Sequence, residues 1–385
     1  MAVPAQPSVY TGTAGNWRGT EQILWSTAED YMPKFRLVTL NQTPALKAFS
    51  LKAFGKTDVI PGGSYGNLAS KRSSTGKGIK FTKKSYQFSG PVYTSTPTGT
   101  HVGRMGNVNP EYLSPNNGFA YAYKRIYWSI YLPEELVKDN KGPNQLLDIM
   151  EDQMKLAQAG AVNDVNNILL GNSSAPTSSP YGLPYLTSVT QDTSIGGLDP
   201  TSTTGYDWWQ NQYRACTSVG GGGQLDRPLV FLRKLDSLLL DVRVLSQSSD
   251  DQLLLATRGA YQYYRRAVYA DTTAQGNGGL RNASYDAAGI DHIVFANCPM
   301  IYDPAVTVPY GATASTEVVY AQDLNEMGLA IRQDEFFDLE RWDAPRTKDQ
   351  QRFYQMNIWL RYTPFVSNRR IQAVLYNLPA NADAS

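Results

Sequence analysis

Hydrophobic residues recur every three or four positions over one long stretch, which predicts an amphipathic helix from Pro143 to about Leu170. Gly171 and Asn172 follow as stop signals. At 1.5 Å per residue the helix is about 40 Å long, so we expect it to be the spine against which a sheet packs. The predicted packing stripe consists of Leu147, Met150, Met154, Ala157, Ala161, Val165 and Ile168.

Apolar and polar residues alternate with a period of two near the end of the sequence, from Phe353 to Tyr362. This alternation predicts a half-buried strand. Pro364 and Ser367-Asn368 indicate a turn, and Ile371–Leu375 reads as another strand. The pattern therefore predicts a closing hairpin of long strands.

Helical and strand patterns alternate between about residues 181 and 339, which predicts a compact unit of the α/β type. Trp208-Trp209 lies in a stretch, Tyr206–Cys216, that also reads as helical. The other predicted elements are helices at 225–245 and 260–270 and strands at 253–256 and 290–297.

The first third of the chain lacks a strong periodic signal. Residues 1–45 are predicted to be extended, apart from a short amphipathic helix at 20–31 that ends at Pro33. Residues 46–118 are rich in Gly, Ser, Thr and Lys and show no helical period. Alternation at 79–82 and 86–89 predicts the strands of one long hairpin, with 59–78 as its tip.

Charge is unevenly distributed in a chain of 385 residues with a net charge of +1. Residues 41–110 contain ten basic residues and one acid, Asp58, so this segment carries +9 and the remainder −8. Such a division indicates opposite surfaces that meet between molecules, while a solvated loop and a nucleic-acid patch are the alternatives. The candidate contact residues are Lys71, Arg72, Lys77, Lys80, Lys83 and Lys84.

Composition narrows the class of protein. Hydrophobic residues make up 42%, which is typical of a folded protein, and 25 Tyr, 12 Phe and 7 Trp suit large contact surfaces. Cys216 and Cys298 form neither a disulfide framework nor a zinc spacing. No signal peptide or membrane-length apolar run is present, so we expect a soluble protein made in a cytoplasm, with no membrane partner.

Catalytic motifs are lacking in the sequence. His101 and His292 are the only histidines, and neither belongs to a zinc-hydrolase or triad motif. Gly76-Lys77-Gly78 fails the phosphate-loop pattern, because Lys71 stands where the earlier glycine is needed. We expect no enzyme activity, no catalytic residue, no cofactor and no metal site.

Two stretches carry a resemblance to a known family. One is Gly196-Gly197-Leu198-Asp199 followed by Tyr206-Asp207-Trp208-Trp209, and the other runs from Gly328-Leu329-Ala330-Ile331-Arg332 through Gln355–Arg361 to Ile371–Leu375. With the order of elements, they resemble the major capsid proteins of tailed bacteriophages, which implies an α+β class and the Hong Kong 97-like capsid fold. The implied segments are an N-terminal arm (1–45), an E-loop hairpin (46–118), a peripheral domain with the spine helix (119–180), an axial domain (181–339) and return strands of the peripheral domain (340–385).

The resemblance implies a structural protein that assembles into an icosahedral head around double-stranded DNA, which it contacts without sequence specificity. Implied partners are further copies of the chain in pentamers and hexamers, portal and scaffolding proteins, and a decoration protein as a further candidate. The implied location is the virion capsid, assembled in the cytoplasm of a bacterial host. Since the arm begins almost at Met1, we expect any scaffold to be a separate protein or the chain to have been trimmed.

Two alternatives stay open at this level. One is the shell of an encapsulin-type protein compartment with the same fold, although the Pro- and Gly-broken first residues favour the phage protein. The other, less favoured, is a β-rich enzyme or carbohydrate-binding protein. No particular Lys, Asn and Glu set stands out in the sequence, so we do not infer the covalent crosslinking known in some relatives.

Overall fold

The structure is a computed structural model. It describes residues 24, 26–32, 35, 43–54, 78–82, 85–92, 117–139, 143–175, 177–201, 208–216, 227–245, 252–271, 290–312, 317–340, 346–348 and 351–378.

The helices are numbered here in chain order. They are α1 (Pro44–Phe54), α2 (Glu134–Asp139), α3 (Pro143–Gly171), α4 (Leu183–Leu186), α5 (Arg227–Leu245) and α6 (Arg258–Asp271). A 3-10 turn spans Arg369–Ile371. Residues 26–32 are also helical, and so is Phe35, which lies beyond the stop predicted at Pro33.

The strands are β1 (Ile79–Thr82), β2 (Gln87–Val92), β3 (Asn117–Ala122), β4 (Lys124–Pro133), β5 (Gln212–Ala215), β6 (Gln252–Ala256), β7 (His292–Phe295), β8 (Cys298–Tyr302), β9 (Glu317–Asp323), β10 (Met327–Glu340), β11 (Arg346–Lys348), β12 (Gln351–Val366) and β13 (Ala373–Leu378). One sheet has the order β1-β10-β12-β11, with β4 also paired to β12; a second has the order β5-β13-β9-β6-β8-β7; and β2 pairs with β3 in a third.

The chain divides into two compact units, of which the first comprises residues 1–38, 127–160 and 337–359. Its core is aromatic. The Phe337 ring lies 5.4 Å from Phe35 and 5.9 Å from Trp128 between ring centroids, and the Tyr31 hydroxyl donates to Gln158 Oε1 at 3.1 Å. These contacts hold the helical residues near the chain start on the first unit.

The second unit comprises residues 39–126, 161–336 and 360–385. Helices α5 and α6 share one hydrophobic core with a face of the six-stranded sheet, where Leu235, Leu254 and Val319 are almost fully buried. All five residues of β6 are buried, which explains the continuous apolar run Leu253–Ala256 in the sequence. Burying one such aliphatic side chain contributes about 1.5–3 kcal/mol.

Several predicted elements are confirmed. The spine helix ends one residue beyond its predicted last residue, at Gly171. The predicted helices at 225–245 and 260–270 correspond to α5 and α6, and the predicted strands at 253–256 and 353–362 lie within β6 and β12. Each has a clear period or an uninterrupted apolar run, so local sequence was sufficient to identify it.

The predicted long hairpin is wrong in its pairing. The strand at 79–82 is present as β1, but it pairs in parallel with Leu329–Arg332 of β10. The hairpin is instead built from β2 and β3, with Phe88 opposite Tyr121. The predicted tip at 59–78 lies outside the described residues except for Gly78.

Residues 44–54 were expected to lack helical structure, yet they form α1. The helix begins with Pro44 at its first position, where a proline costs no hydrogen bond. Among the residues of α1 whose burial is described, Ala45, Leu46, Ala48, Phe49 and Ser50 are buried. Two of these are small alanines and one is a polar serine, so the apolar period is weak in the sequence.

The stretch Tyr206–Cys216 was predicted to be helical, and this is wrong for the part that the structure describes. Residues 212–215 form β5, which pairs in parallel with Ala373–Tyr376 of β13. The predicted closing hairpin is wrong too, because β12 and β13 lie in different sheets.

The strand predicted at 290–297 is the first half of a tight hairpin. Ala296 and Asn297 have φ values of 47° and 69°, and they connect β7 to β8 with Phe295 opposite Cys298. Two successive residues with positive φ are the mark of the two-residue turn that matches the twist of antiparallel strands.

Candidate assembly site

The base of the β2–β3 hairpin is packed tightly into the second unit. Phe88 and Tyr121 lie opposite each other on the same face, and Phe119 is next to them opposite Gly90. The Phe88 ring centroid lies 4.4 Å from that of Phe365 and 5.8 Å from that of Phe119. Aromatic contacts of this kind add about 0.5–1.5 kcal/mol beyond burial, so they hold the base of the hairpin in place. We call the contact region formed by Phe88, Phe119, Tyr121 and Phe365 the hairpin seat.

Tyr121 links this seat to the end of β12. Its side chain is fully buried, and its hydroxyl donates to the Val366 carbonyl at 2.8 Å. Burial raises the pKa of Tyr121 above its ordinary value, because the phenolate would lose its hydration. The hydroxyl therefore keeps its proton and its hydrogen bond at any pH near neutrality.

A tight turn at Ile195–Leu198 forms the other side of the seat. The Ala120 amide donates to the Gly196 carbonyl at 2.8 Å, and the Trp209 indole N–H donates to the Ile195 carbonyl at 3.1 Å. Gly196 has a φ of +64°, and a Cβ there would lie 3.1 Å from the Tyr121 ring. A glycine is needed because the turn bends into the left-handed region directly against that ring.

Helix α1, at the start of the predicted E-loop, is held by a buried carboxylate. Asp303 Oδ2 accepts from the Ala45 amide at 3.3 Å, close to the positive end of the helix. Asp303 Oδ1 accepts from the Asn166 side chain at 3.0 Å, and Thr43 Oγ1 donates to Asn166 Oδ1 at 3.2 Å. The beginning of the loop is thus tied to α3 and to the residue after β8.

Gly90 allows the close approach of Phe119, since a Cβ at residue 90 would lie 2.6 Å from Phe119 Cζ. We expect Gly90→Ala to lower the free energy of unfolding by about 1–3 kcal/mol, because the buried ring must shift. Urea unfolding measures the change. Ser89→Ala, at an exposed neighbouring position, is the matched control and should stay within about 0.5 kcal/mol of the parent. Equal stability of the two variants would contradict this packing.

Of the six predicted contact residues, Lys71, Arg72, Lys77, Lys83 and Lys84 lie outside the described residues. Lys80 is described, and it lies in β1, with its Nζ 4.8 Å from the Phe365 ring centroid. Burial lowers the pKa of Lys80, and Glu326 partly offsets that effect. This cation–π contact lies within its own chain, and the intersubunit role of Lys80 stays a prediction.

The predicted stripe on α3 is partly buried and partly not. Met150, Met154, Ala161 and Val165 are buried, whereas Leu147, Ala157 and Ile168 are half-buried. Gln158, Val162, Asn166, Leu169 and Leu170 are also buried, although none of them was predicted. The polar residues Gln158 and Asn166 were missed because each bonds a specific partner, Tyr31 and Asp303 respectively.

Each unit also exposes large hydrophobic side chains. In the first unit, Tyr127 and Tyr131 of β4 are 55% and 52% exposed, and their rings contact Trp359 and Phe353 of β12. We call these four residues the aromatic face. In the second unit, Leu240 and Val244 lie one turn apart on α5 and are 54% and 85% exposed. Exposed apolar groups of this size are typical of contact surfaces.

Other chemistry has little support in the described residues. His292 is buried, and its Nδ1 lies 2.9 Å from the Ile290 carbonyl oxygen, while His101 is not described. No group of three or more metal-binding side chains occurs in the described part of the chain. None of its described helices has the length and apolar character needed to span a membrane.

No family model and no curated protein sequence matches the chain. Among solved structures, the cyanophage A-1(L) capsid asymmetric unit matches with a TM-score of 0.51 and 11% identity over 77% of this chain and 90% of that one. The capsid of an empty GTA particle matches with a TM-score of 0.45 and 14% identity, over 79% of this chain and 88% of that one. The SrpI encapsulin complex of Synechococcus elongatus matches with a TM-score of 0.47 and 10% identity, over 80% of this chain and 88% of that one.

The first of these structures decides the fold. Its match extends over most of both chains, and the α+β class and the Hong Kong 97-like fold predicted from the sequence are confirmed.

Proposed function

We propose that this chain is the shell-forming major capsid protein of a tailed bacteriophage, with a structural and not an enzymatic role. The observation that carries the proposal is the fold shared with a cyanophage capsid chain over 90% of that chain's length. A shell subunit must present contact surfaces to several copies of itself. The exposed aromatic face and the exposed Leu240 and Val244 support this requirement.

The E-loop segment is the proposed contact between neighbours. The base of its β2–β3 hairpin is anchored through Phe88, Phe119 and Tyr121. The basic residues precede β2 in the chain. We propose that an acidic surface of an adjacent subunit contacts the basic residues Lys71, Arg72, Lys77, Lys80, Lys83 and Lys84.

The acidic candidates are Asp148, Glu151 and Asp152 on α3. Lys155 Nζ lies 3.2 Å from Glu151 and 3.5 Å from Asp152, so it neutralises one of the three charges. Asp152 and Asp148 are exposed and available to another molecule. The net charge of the patch is −2, which still favours a basic loop over an acidic one.

The remaining proposed partners follow from the same role. Pentamers and hexamers of the chain would enclose double-stranded DNA, bound without sequence specificity, with a portal and a scaffolding protein as assembly partners and a decoration protein as a further one. The proposed site of action is the virion capsid, after assembly in the host cytoplasm. An encapsulin-type compartment would have the same fold but would contain a cargo enzyme in place of nucleic acid.

Electron microscopy of the expressed chain, alone and with candidate scaffolds, tests the proposal. We expect closed shells or capsomers with five- and six-fold symmetry. Light scattering that shows only a compact monomer under every assembly condition would contradict it. Shells that co-purify from a native host with a cargo enzyme and no DNA would favour the compartment instead.

A further inference from the structure

Arg369 is a fully buried arginine in the 3-10 turn between β12 and β13. Its Nη1 donates to the carbonyls of Thr193 and Trp209, at 3.2 and 3.0 Å. Its Nη2 donates to Asn211 Oδ1 at 3.0 Å and to Ser188 Oγ at 3.4 Å. The guanidinium thus joins four points of the segment 188–211.

All four of these acceptors are electrically neutral. Among the residues that the structure describes, Arg369 forms no ion pair with a carboxylate, and its Nε has no hydrogen-bond partner. Burial lowers the pKa of Arg369 to about 10, so the side chain is still charged at neutral pH. Burying an unpaired charge is unfavourable, and an apolar side chain of similar size often gives equal or better stability.

The partners of Arg369 lead directly to the seat of the hairpin. Trp209, whose carbonyl accepts from Arg369, donates its indole N–H to the Ile195 carbonyl. The turn that begins at Ile195 accepts the Ala120 amide of β3 through Gly196. Arg369 is therefore connected to the hairpin backbone through three hydrogen bonds, and it binds the carbonyls of Thr193 and Trp209, on either side of the turn that holds the hairpin.

We propose that Arg369 is a positioning residue that fixes the direction in which the β2–β3 hairpin leaves the body, so that its main effect is on assembly. The part concerning assembly rests on the proposed function. The planar guanidinium suits this role because it holds several acceptors in one fixed geometry, which the single ammonium of a lysine does not. This role would explain why a buried guanidinium that adds little net stability is present at residue 369: it fixes the orientation of the hairpin.

Arg369→Lys tests the proposal in the isolated subunit. We expect amide exchange at Ala120 to become about tenfold faster or more, because the loop that holds it loses its closing contacts. Exchange at Leu254 and Met300, in the helix-covered part of the six-stranded sheet, should change by less than about twofold. An equal increase in the exchange rate at all three amides would overturn the proposal, since it would indicate a general loss of stability.

Assembly is compared with a control of equal stability. The control is Val319→Ala, which creates a cavity under α5 and α6, away from the hairpin. The assembly temperature is adjusted until both variants have the same folded fraction. We expect Arg369→Lys to assemble at least about tenfold more slowly than this control. Equal assembly rates would overturn the proposal. If Arg369→Lys does not fold, Trp209→Phe, which lacks the indole N–H, should show the same selective exchange at Ala120, and a uniform rise would again overturn it.

The two proposals fail separately. If the parent chain forms no shells, the proposed function fails, while the exchange experiment on the monomer still decides whether Arg369 holds the hairpin. If the parent assembles and Arg369→Lys keeps normal protection at Ala120, the positioning role fails alone.

Discussion

Ala161→Asp is expected to prevent folding of the subunit. Ala161 lies on α3 and is fully buried, so the new carboxylate would be removed from water and would replace a methyl group that has no need of a hydrogen-bond or ion-pair partner. Burial of an unpaired charge costs about 4–5 kcal/mol or more, which is comparable to the whole stability of many domains. The soluble fraction after expression and the circular dichroism of any soluble protein measure the result.

Asn163→Asp is the matched control for this change. Residue 163 lies on the same helix two positions later and is exposed, so a carboxylate there stays hydrated. Its effect on the free energy of unfolding should remain within about 0.5 kcal/mol. A soluble, cooperatively unfolding Ala161→Asp protein would show that this side of α3 is not a packing face.

Reversing charge on the E-loop is expected to slow or block assembly while leaving the subunit folded. The change is the quadruple substitution of Lys71, Lys77, Lys83 and Lys84 by Glu. Each exposed ion pair contributes only about 0–1 kcal/mol, but every subunit of a shell repeats the contact. Light scattering should show assembly at least about tenfold slower at low salt, with the difference shrinking as salt is added.

The reciprocal change is the sharper control. Replacing Asp148, Glu151 and Asp152 by Lys in the quadruple variant should restore assembly, because attraction returns with the signs exchanged. Arg233→Glu with Arg258→Glu, on α5 and α6, controls for negative charge added outside the loop; it changes the net charge by −4, half of the −8 in the quadruple variant. Parent-like kinetics of the quadruple variant from low to high salt would argue against an intersubunit role, and contact with packaged DNA would then be the better explanation.

Elements with a local signal could be predicted from the sequence. The spine helix has a sustained apolar period, and β6 is an uninterrupted apolar run, so both were placed within one or two residues. The pairing of β1 with β10 and of β5 with β13 could not be predicted in this way, because these partners are far apart in the chain. Four-residue strands such as β1 and β5 contain no information about which edge they join.

The sequence likewise shows some features of the candidate site and not others. The excess of basic residues between 41 and 110 is visible in the sequence and motivates the proposed contact. Asp303 and Arg369, which anchor α1 and the hairpin seat, are single polar residues whose partners come from distant segments. Two signals were available: Asn166 interrupts an apolar helix face, and Arg369 follows the apolar Phe365-Val366. Neither signal indicates its partner before the fold is known.

Strand β13 pairs with β5 on one side and with β9 on the other, so it is an internal strand of its sheet. During synthesis β13 leaves the ribosome after both strands that it joins. Until then β5 lacks its pairing partner in the sheet, and one edge of β9 is unpaired. The nascent chain is thus kept from its native shape until residues 373–378 have emerged. Under the proposed function, a chain that ended before residue 373 would lack the strand that joins β5 to β9, and it would not form a complete subunit for assembly.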